Sequence, residues 1–266
     1  MRRVVFNQKG GVGKTSITCN LAAISAHQGY RTLVLDLDVQ GNATHYLVGE
    51  IDAEAFPAEA QGVAGLFKQT VGPKRKRNNP DTFVWETPWE NLFLMPSSPV
   101  LITLEKELEA RYKIYKLRDA LDKLDEEYDR IYIDTPPNFN FFSKSALIAA
   151  DTVLVPFDCD SFARQSLYSL MENIAELQED HNPDLEVEGI VINQFNSQAR
   201  LPGELVAELE EEGYPVLSTY LSSSVKMKES HSEHRPLVDM AASHKLTQQY
   251  LALHDELERA LSRAAA

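Results

Sequence analysis

Short apolar runs alternate along the chain with longer segments whose apolar residues recur at helical spacing. Val4-Val5-Phe6 is the first run, and the pattern from Lys14 to about Gln28 predicts a helix that Gly29 is suited to stop. Thr32 to Asp38 reads as a buried strand ending in acids, as expected of a parallel strand carrying a site at its carboxyl end. Residues 50–90 are interrupted by Pro57, Gly62, Gly65, Gly72, Pro73 and Pro80 and give little periodicity. Asn91–Met95 is again strand-like. Pro96-Ser97-Ser98 then introduces a charged helical region to about Glu127, with Leu101, Leu104 and Leu108, then Ile114, Leu117, Leu121 and Leu124, at helical spacing. Arg130–Asp134, Asp151–Pro156 and Val187–Gln194 predict three more strands, and Tyr214–Ser218 a last short one. Helices are expected at about 162–180, 202–212 and 243–263. Strands alternating with helices without a linker or repeat argue for a single α/β domain over 1–266: a mostly parallel twisted sheet of about seven or eight strands, with helices on both faces.

Composition narrows the class. The 266 residues are 43% hydrophobic, enough for one large α/β domain. Cys19 and Cys159 are the only cysteines and stand in unrelated contexts, which suits a reducing compartment and core packing. No apolar stretch reaches the length of a membrane span, and Met1-Arg2-Arg3 leads straight into a strand, so a cytoplasmic protein is expected. The formal charge of −14 argues against general affinity for nucleic acid, although a local basic patch can survive within an acidic whole.

The chemistry concentrates at the turn after the first strand, Asn7-Gln8-Lys9-Gly10-Gly11-Val12-Gly13-Lys14-Thr15-Ser16. Glycines bring backbone N–H groups close to phosphate oxygens, and the following helix turns its positive end toward the anion. In a P-loop, Lys14 would reach the β- and γ-phosphates and Thr15 would ligate Mg²⁺. Gln8 stands where the strict pattern has glycine, while Lys9 supplies an extra lysine five residues before Lys14. Asp134, ending an apolar strand before Thr135-Pro136-Pro137, has the Walker B pattern, whose carboxylate holds Mg²⁺ directly or through water.

Lys9 to Thr15 resembles the deviant Walker A box of the ParA/MinD ATPases, and Asp36-Leu37-Asp38-Val39-Gln40-Gly41-Asn42 resembles the second motif of that family, with Val39 where proline is usual. The resemblance extends over nearly the whole chain and is closest to ParA-type (Soj-like) proteins, including those that position carboxysomes. It implies a P-loop NTPase fold and a nucleotide site made by Lys9, Gly10, Gly11, Val12, Gly13, Lys14, Thr15, Ser16 and Asn193, the last contacting adenine. It also implies a metal set of Thr15, Asp38 and Asp134, a water-orienting role for Asp38, and a Lys9 that crosses a dimer interface to the nucleotide of the partner. Asp160 matches a position that often faces that interface.

On this resemblance the chain is an Mg²⁺-dependent ATP hydrolase that dimerises around two ATP molecules, binds nucleoid DNA without sequence preference and positions a plasmid, chromosome origin or protein body. A ParB-like or adaptor protein would stimulate hydrolysis. Arg200, Lys226 and Lys228 are the candidate DNA contacts, with the cluster Lys74 to Arg77 as the next candidate. A chain starting at the P-loop leaves no room for an N-terminal helix-turn-helix. A MinD-like regulator would have a basic amphipathic C-terminus, but the final helical segment carries Asp255, Glu256 and Glu258. An iron–sulfur relative would need paired cysteines. A nucleotide-binding switch without turnover is the remaining alternative.

Overall fold

The computed structural model describes residues 1–49, 62–71, 78–159, 163–196 and 200–264. The strands are β1 (Arg2–Val5), β2 (Thr32–Asp36), β3 (Trp85–Glu86), β4 (Leu92–Met95), β5 (Arg130–Asp134), β6 (Thr152–Asp158) and β7 (Glu186–Asn193). The helices are α1 (Lys14–His27), α2 (Asn42–Val48), α3 (Gly62–Val71), α4 (Leu101–Ala110), α5 (Lys116–Leu124), α6 (Phe141–Ala149), α7 (Ala163–Asp180), α8 (Arg200–Glu211), α9 (Val225–Ser232), α10 (Leu237–Met240) and α11 (Lys245–Ala264). Among the described residues the seven strands form one sheet in the order β3-β4-β2-β5-β1-β6-β7, parallel except for the β3 edge.

The central strands are apolar on both faces because helices cover both. Leu33, Leu35, Ile131 and Ile133 turn into a core shared with α3 to α8, while Val34 and Tyr132 turn into a second core against α1, α2 and α11. The period of two thus sorts each strand between the layers. The carboxyl ends of β1, β2 and β5 lie side by side, with Asp36 and Asp134 as register partners.

Several boundaries differ from the expectation. α1 ends at His27, and Gly29, with φ of 92°, closes it through Tyr30 N–H to Ser25 O at 3.1 Å. β2 stops at Asp36 because that side chain accepts the Asp38 N–H at 3.1 Å and turns the chain. The charged region before Glu127 is two helices. α4 is closed by Tyr112, with φ of 54°, and by Lys113 N–H to Leu108 O at 3.0 Å, a terminator that needs no glycine and so leaves no sequence signal. Tyr214–Ser218 is not a strand: it makes a single bridge, Val216 with Ile190. α3 emerged from the uninformative region because its first six residues are all buried, leaving no polar stripe to read. Lys74 to Arg77 and Asp160 lie outside the described residues.

Candidate functional site

The loop from Asn7 to Gly13 wraps the end of β1 and enters α1. The Asn7 side chain anchors its start, donating to Pro156 O at 2.7 Å and accepting from Lys9 N–H at 2.9 Å. Gly11 and Gly13 have φ of 78° and 95°, which glycine tolerates and other residues rarely do. A Cβ on Gly13 would meet Asn193 Nδ2 at 2.2 Å, whereas one on Gly10 or Gly11 would enter open space. The loop is therefore packed behind and open in front, as a cradle for an anion requires.

Lys14, 7% exposed, folds its ammonium under the loop to donate to Lys9 O at 3.0 Å. Burial lowers its pKa, and the charges of Asp134 and Asp38 oppose that shift. Thr15 Oγ1 donates to Asp134 Oδ2 at 2.7 Å, so hydroxyl and carboxylate already face one another. Asp134 is fully buried, and its pKa is pushed up by burial first and by Asp36 next. Asp38 is 7% exposed and its Oδ1 accepts the Gln40 N–H at 3.0 Å. Lys14, Thr15, Ser16, Asp38 and Gln40 line one cleft. Among the described residues no group of three or more His, Cys, Asp or Glu makes a protein-only metal cage. A hydroxyl and one buried carboxylate short of positive charge fit a cation that takes its other ligands from phosphate and water.

Lys9 stands at the rim, its Nζ 3.9 Å from Asp158 and its side chain one-third exposed. Asn193 lines a second, adjoining cavity with Gly13, Ser223 and Tyr250, but its amide donates to Val12 O at 2.8 Å. Gln194 makes the companion contact, Nε2 to Gly11 O at 3.0 Å. Within one subunit, two of the candidate DNA contacts do not share a face of their helix. Lys226 and Lys228 lie two positions apart on α9, about 200° around a helix. Lys226 pairs with Glu229 and Lys228 lines the second cavity. Arg200 opens α8, and its side chain lies outside the described residues.

Three contributors went unassigned in the sequence. Asp36 accepts from Thr44 N–H at 2.8 Å, Thr44 Oγ1 at 2.7 Å and Asp38 N–H, and so shapes the Asp38 turn. The Asp-x-Asp spacing was its only sequence signal. Gln194 and His231 reach the P-loop from remote segments and had none.

A glycine-rich loop between strand and helix, opposite a buried strand-end aspartate, on a parallel sheet covered on both faces, defines a P-loop nucleotide-binding protein. A family model described as AAA domain matches residues 3–187. The chain is 34% identical over 257 residues to the chromosome partitioning protein ParA of Myxococcus xanthus, covering 95% of this chain and 86% of that one. It is 30% identical over 241 residues to the sporulation initiation inhibitor protein Soj of Bacillus subtilis, covering 88% of each. Its fold matches that of a cobyrinic acid a,c-diamide synthase from Mycobacterium smegmatis with bound ATP analog and magnesium (TM-score 0.82, 26% identity, 97% of this chain and 94% of that one). The chain belongs to the ParA/MinD family of P-loop ATPases.

Proposed function

We propose that this chain is an Mg²⁺-dependent ATPase that dimerises around two ATP molecules and uses the ATP-bound dimer to position a cargo. The observation that carries the reading is the convergence of Lys14, the Thr15–Asp134 pair and Asp38 on one cleft beneath an open glycine loop. Loop amides and Lys14 bind and orient the phosphates, and Asp38 orients the attacking water; catalysis then consists of positioning and charge stabilisation. Thr15 and Asp134, with Asp38 nearby, would hold Mg²⁺, which supplies charge neutralisation at the β- and γ-phosphates. Lys9, at the rim of the loop, would act on the nucleotide of a second copy. Asn193 contributes to the base-side wall and, together with Gln194, braces the loop.

The chromosome partitioning relative supports a spatial role, and the proposed cargo is a plasmid, chromosome origin or protein body such as a carboxysome, with a ParB-like or adaptor activator. Non-specific nucleoid DNA is the proposed matrix, reached through Lys226, Lys228 and Arg200 in the dimer. Among the described residues no helix is long and apolar enough to cross a membrane. Sizing chromatography with ATP and Mg²⁺ tests the reading. Lys14→Ala should lose ATP binding, whereas Asp38→Ala should bind ATP and accumulate as dimer; an Asp38→Ala protein that binds ATP but stays monomeric overturns the sandwich model.

A further inference from the structure

Helix α9 reaches the nucleotide site from the far end of the sequence. Met227 and Lys228 line the second cavity, where the nucleotide-binding reading puts the base, and His231, in the last turn, lines the cleft that holds Lys14, Thr15 and Asp38. His231 Nε2 lies 2.8 Å from Ser16 Oγ, across 215 residues of sequence. Ser16 borders both spaces, one residue beyond Thr15, so a bound nucleotide would bring its α-phosphate there, between the base and the outer phosphates.

We propose that His231 is a positioning residue that aims the Ser16 hydroxyl at the α-phosphate and, through the same contact, couples α9 to occupancy of the site. The inference rests on the nucleotide-binding reading above. A serine in the first turns of a helix can satisfy its own proton locally, so directing it outward takes a partner. A neutral imidazole offers either a donor or an acceptor at Nε2. When Nε2–H donates to Ser16 Oγ, the only serine proton is left for an anion in the cleft. A bound phosphate favours that arrangement because it can only accept. Burial, with His234 and His45 next, lowers the pKa of His231 and favours the neutral ring that this exchange needs.

The ring is held for the task. It stacks on Tyr46 at 4.1 Å and 8° between planes. Tyr46 Oη in turn meets Asn20 Nδ2 at 3.1 Å and the Ser230 hydroxyl. Asn20 returns to the loop helix, donating to Ser16 O at 2.8 Å. Serine, histidine and their supports thus form a closed circuit between α1, α2 and α9, and a ring so fixed loses little further freedom when nucleotide binds.

Competition of unlabelled ATP and ADP against a fluorescent ADP analogue tests the proposal. His231→Ala should weaken ATP and ADP equally, by about three- to tenfold, because both carry the α-phosphate. His231→Gln, which retains a side-chain N–H donor, should recover most of the loss. The Ser16→Ala, His231→Ala double variant should lose no more than the weaker-binding single variant. Hydrogen exchange at α9 amides should slow on ADP binding in the wild type and much less in His231→Ala. Unchanged affinities with a normal melting temperature, a loss confined to ATP, or additive losses in the double variant would each overturn the role of His231. A wild-type protein that binds neither nucleotide overturns the nucleotide-site reading itself.

Discussion

Asp36 and Asp134 are register partners at the ends of adjacent parallel strands, and both are fully buried. Each has a raised pKa, for which burial is the first cause, and Asp36 is the largest electrostatic contributor at Asp134. The two carboxylates divide the work. Asp134 faces Thr15, while Asp36 is committed to Thr44 and the Asp38 turn. Asp36→Ala would leave buried donors of Thr44 and Asp38 unmatched at about 1–3 kcal/mol for each orphaned group, offset in part by relief of the like charge. A net destabilisation in urea unfolding and a fall in turnover of about tenfold or more are expected, with Asp36→Asn intermediate. Unaltered turnover in Asp36→Ala would show that the Asp38 turn holds without it.

Lys9 and Lys14 should separate kinetically. Lys14 is buried beneath the loop, whereas Lys9 sits on its rim. Lys9→Ala is expected to bind ATP nearly normally as a monomer and to lose dimerisation or turnover, and Lys14→Ala to lose binding. Equal loss of ATP affinity in both, measured by titration, would make Lys9 a ligand within its own subunit.

DNA affinity, if it follows the proposed function, belongs to the ATP dimer, because one subunit does not gather Lys226 and Lys228 on one face. Gel shifts with unrelated duplexes should show ATP-dependent binding that falls with salt at a log–log slope near −0.9 per phosphate neutralised. A Lys226→Glu, Lys228→Glu double variant should abolish the shift while sparing dimerisation. Wild-type dimer that ignores DNA at low salt would replace the nucleoid by a protein or membrane surface.

The Arg3–Glu188 pair tests what holds β1 to β7. Arg3 is 0% exposed and donates through Nε and Nη2 to the two Glu188 oxygens, each at 2.5 Å. Removing one partner strands a buried charge. Glu188→Gln should therefore cost about 3–5 kcal/mol by urea unfolding, and a double change of both residues to methionine should cost less than the single one.

His254 gives the fold a pH dependence of known sign. Its Nε2 lies 2.9 Å from Ser25 Oγ in the core, and among the described residues Nδ1 has no hydrogen-bond partner. Burial lowers its pKa below 6.5, with the charge of Glu258 opposing. Since the unfolded chain takes up the proton first, this group leaves stability intact above about pH 6.5 and subtracts from it as pH falls through that value. Melting temperatures from pH 7.5 to 5.5 should fall more in the wild type than in His254→Gln; equal slopes would show that another group carries the effect.

The sequence by itself determined the features that depend on a few adjacent residues. The glycine loop, Lys14-Thr15, Asp38 just beyond β2, Asp134 at the end of β5, and the stop at Gly29 are local demands of backbone and chemistry, legible wherever the chain is read. A terminator without glycine at Tyr112 and the wholly buried start of α3 escaped because each lacks the pattern that such readings use. Tertiary structure alone decided the rest. The parallel crossovers fixed the strand order, which set Asp36 beside Asp134, 98 residues apart in sequence. Packing of α9 against α1 brought His231 to Ser16, and helical rotation turned Lys228 to the second cavity while Lys226 paired with Glu229. Such contacts leave no local trace because the free energy that selects them lies in the burial of whole helix and sheet faces, not in the residues that meet.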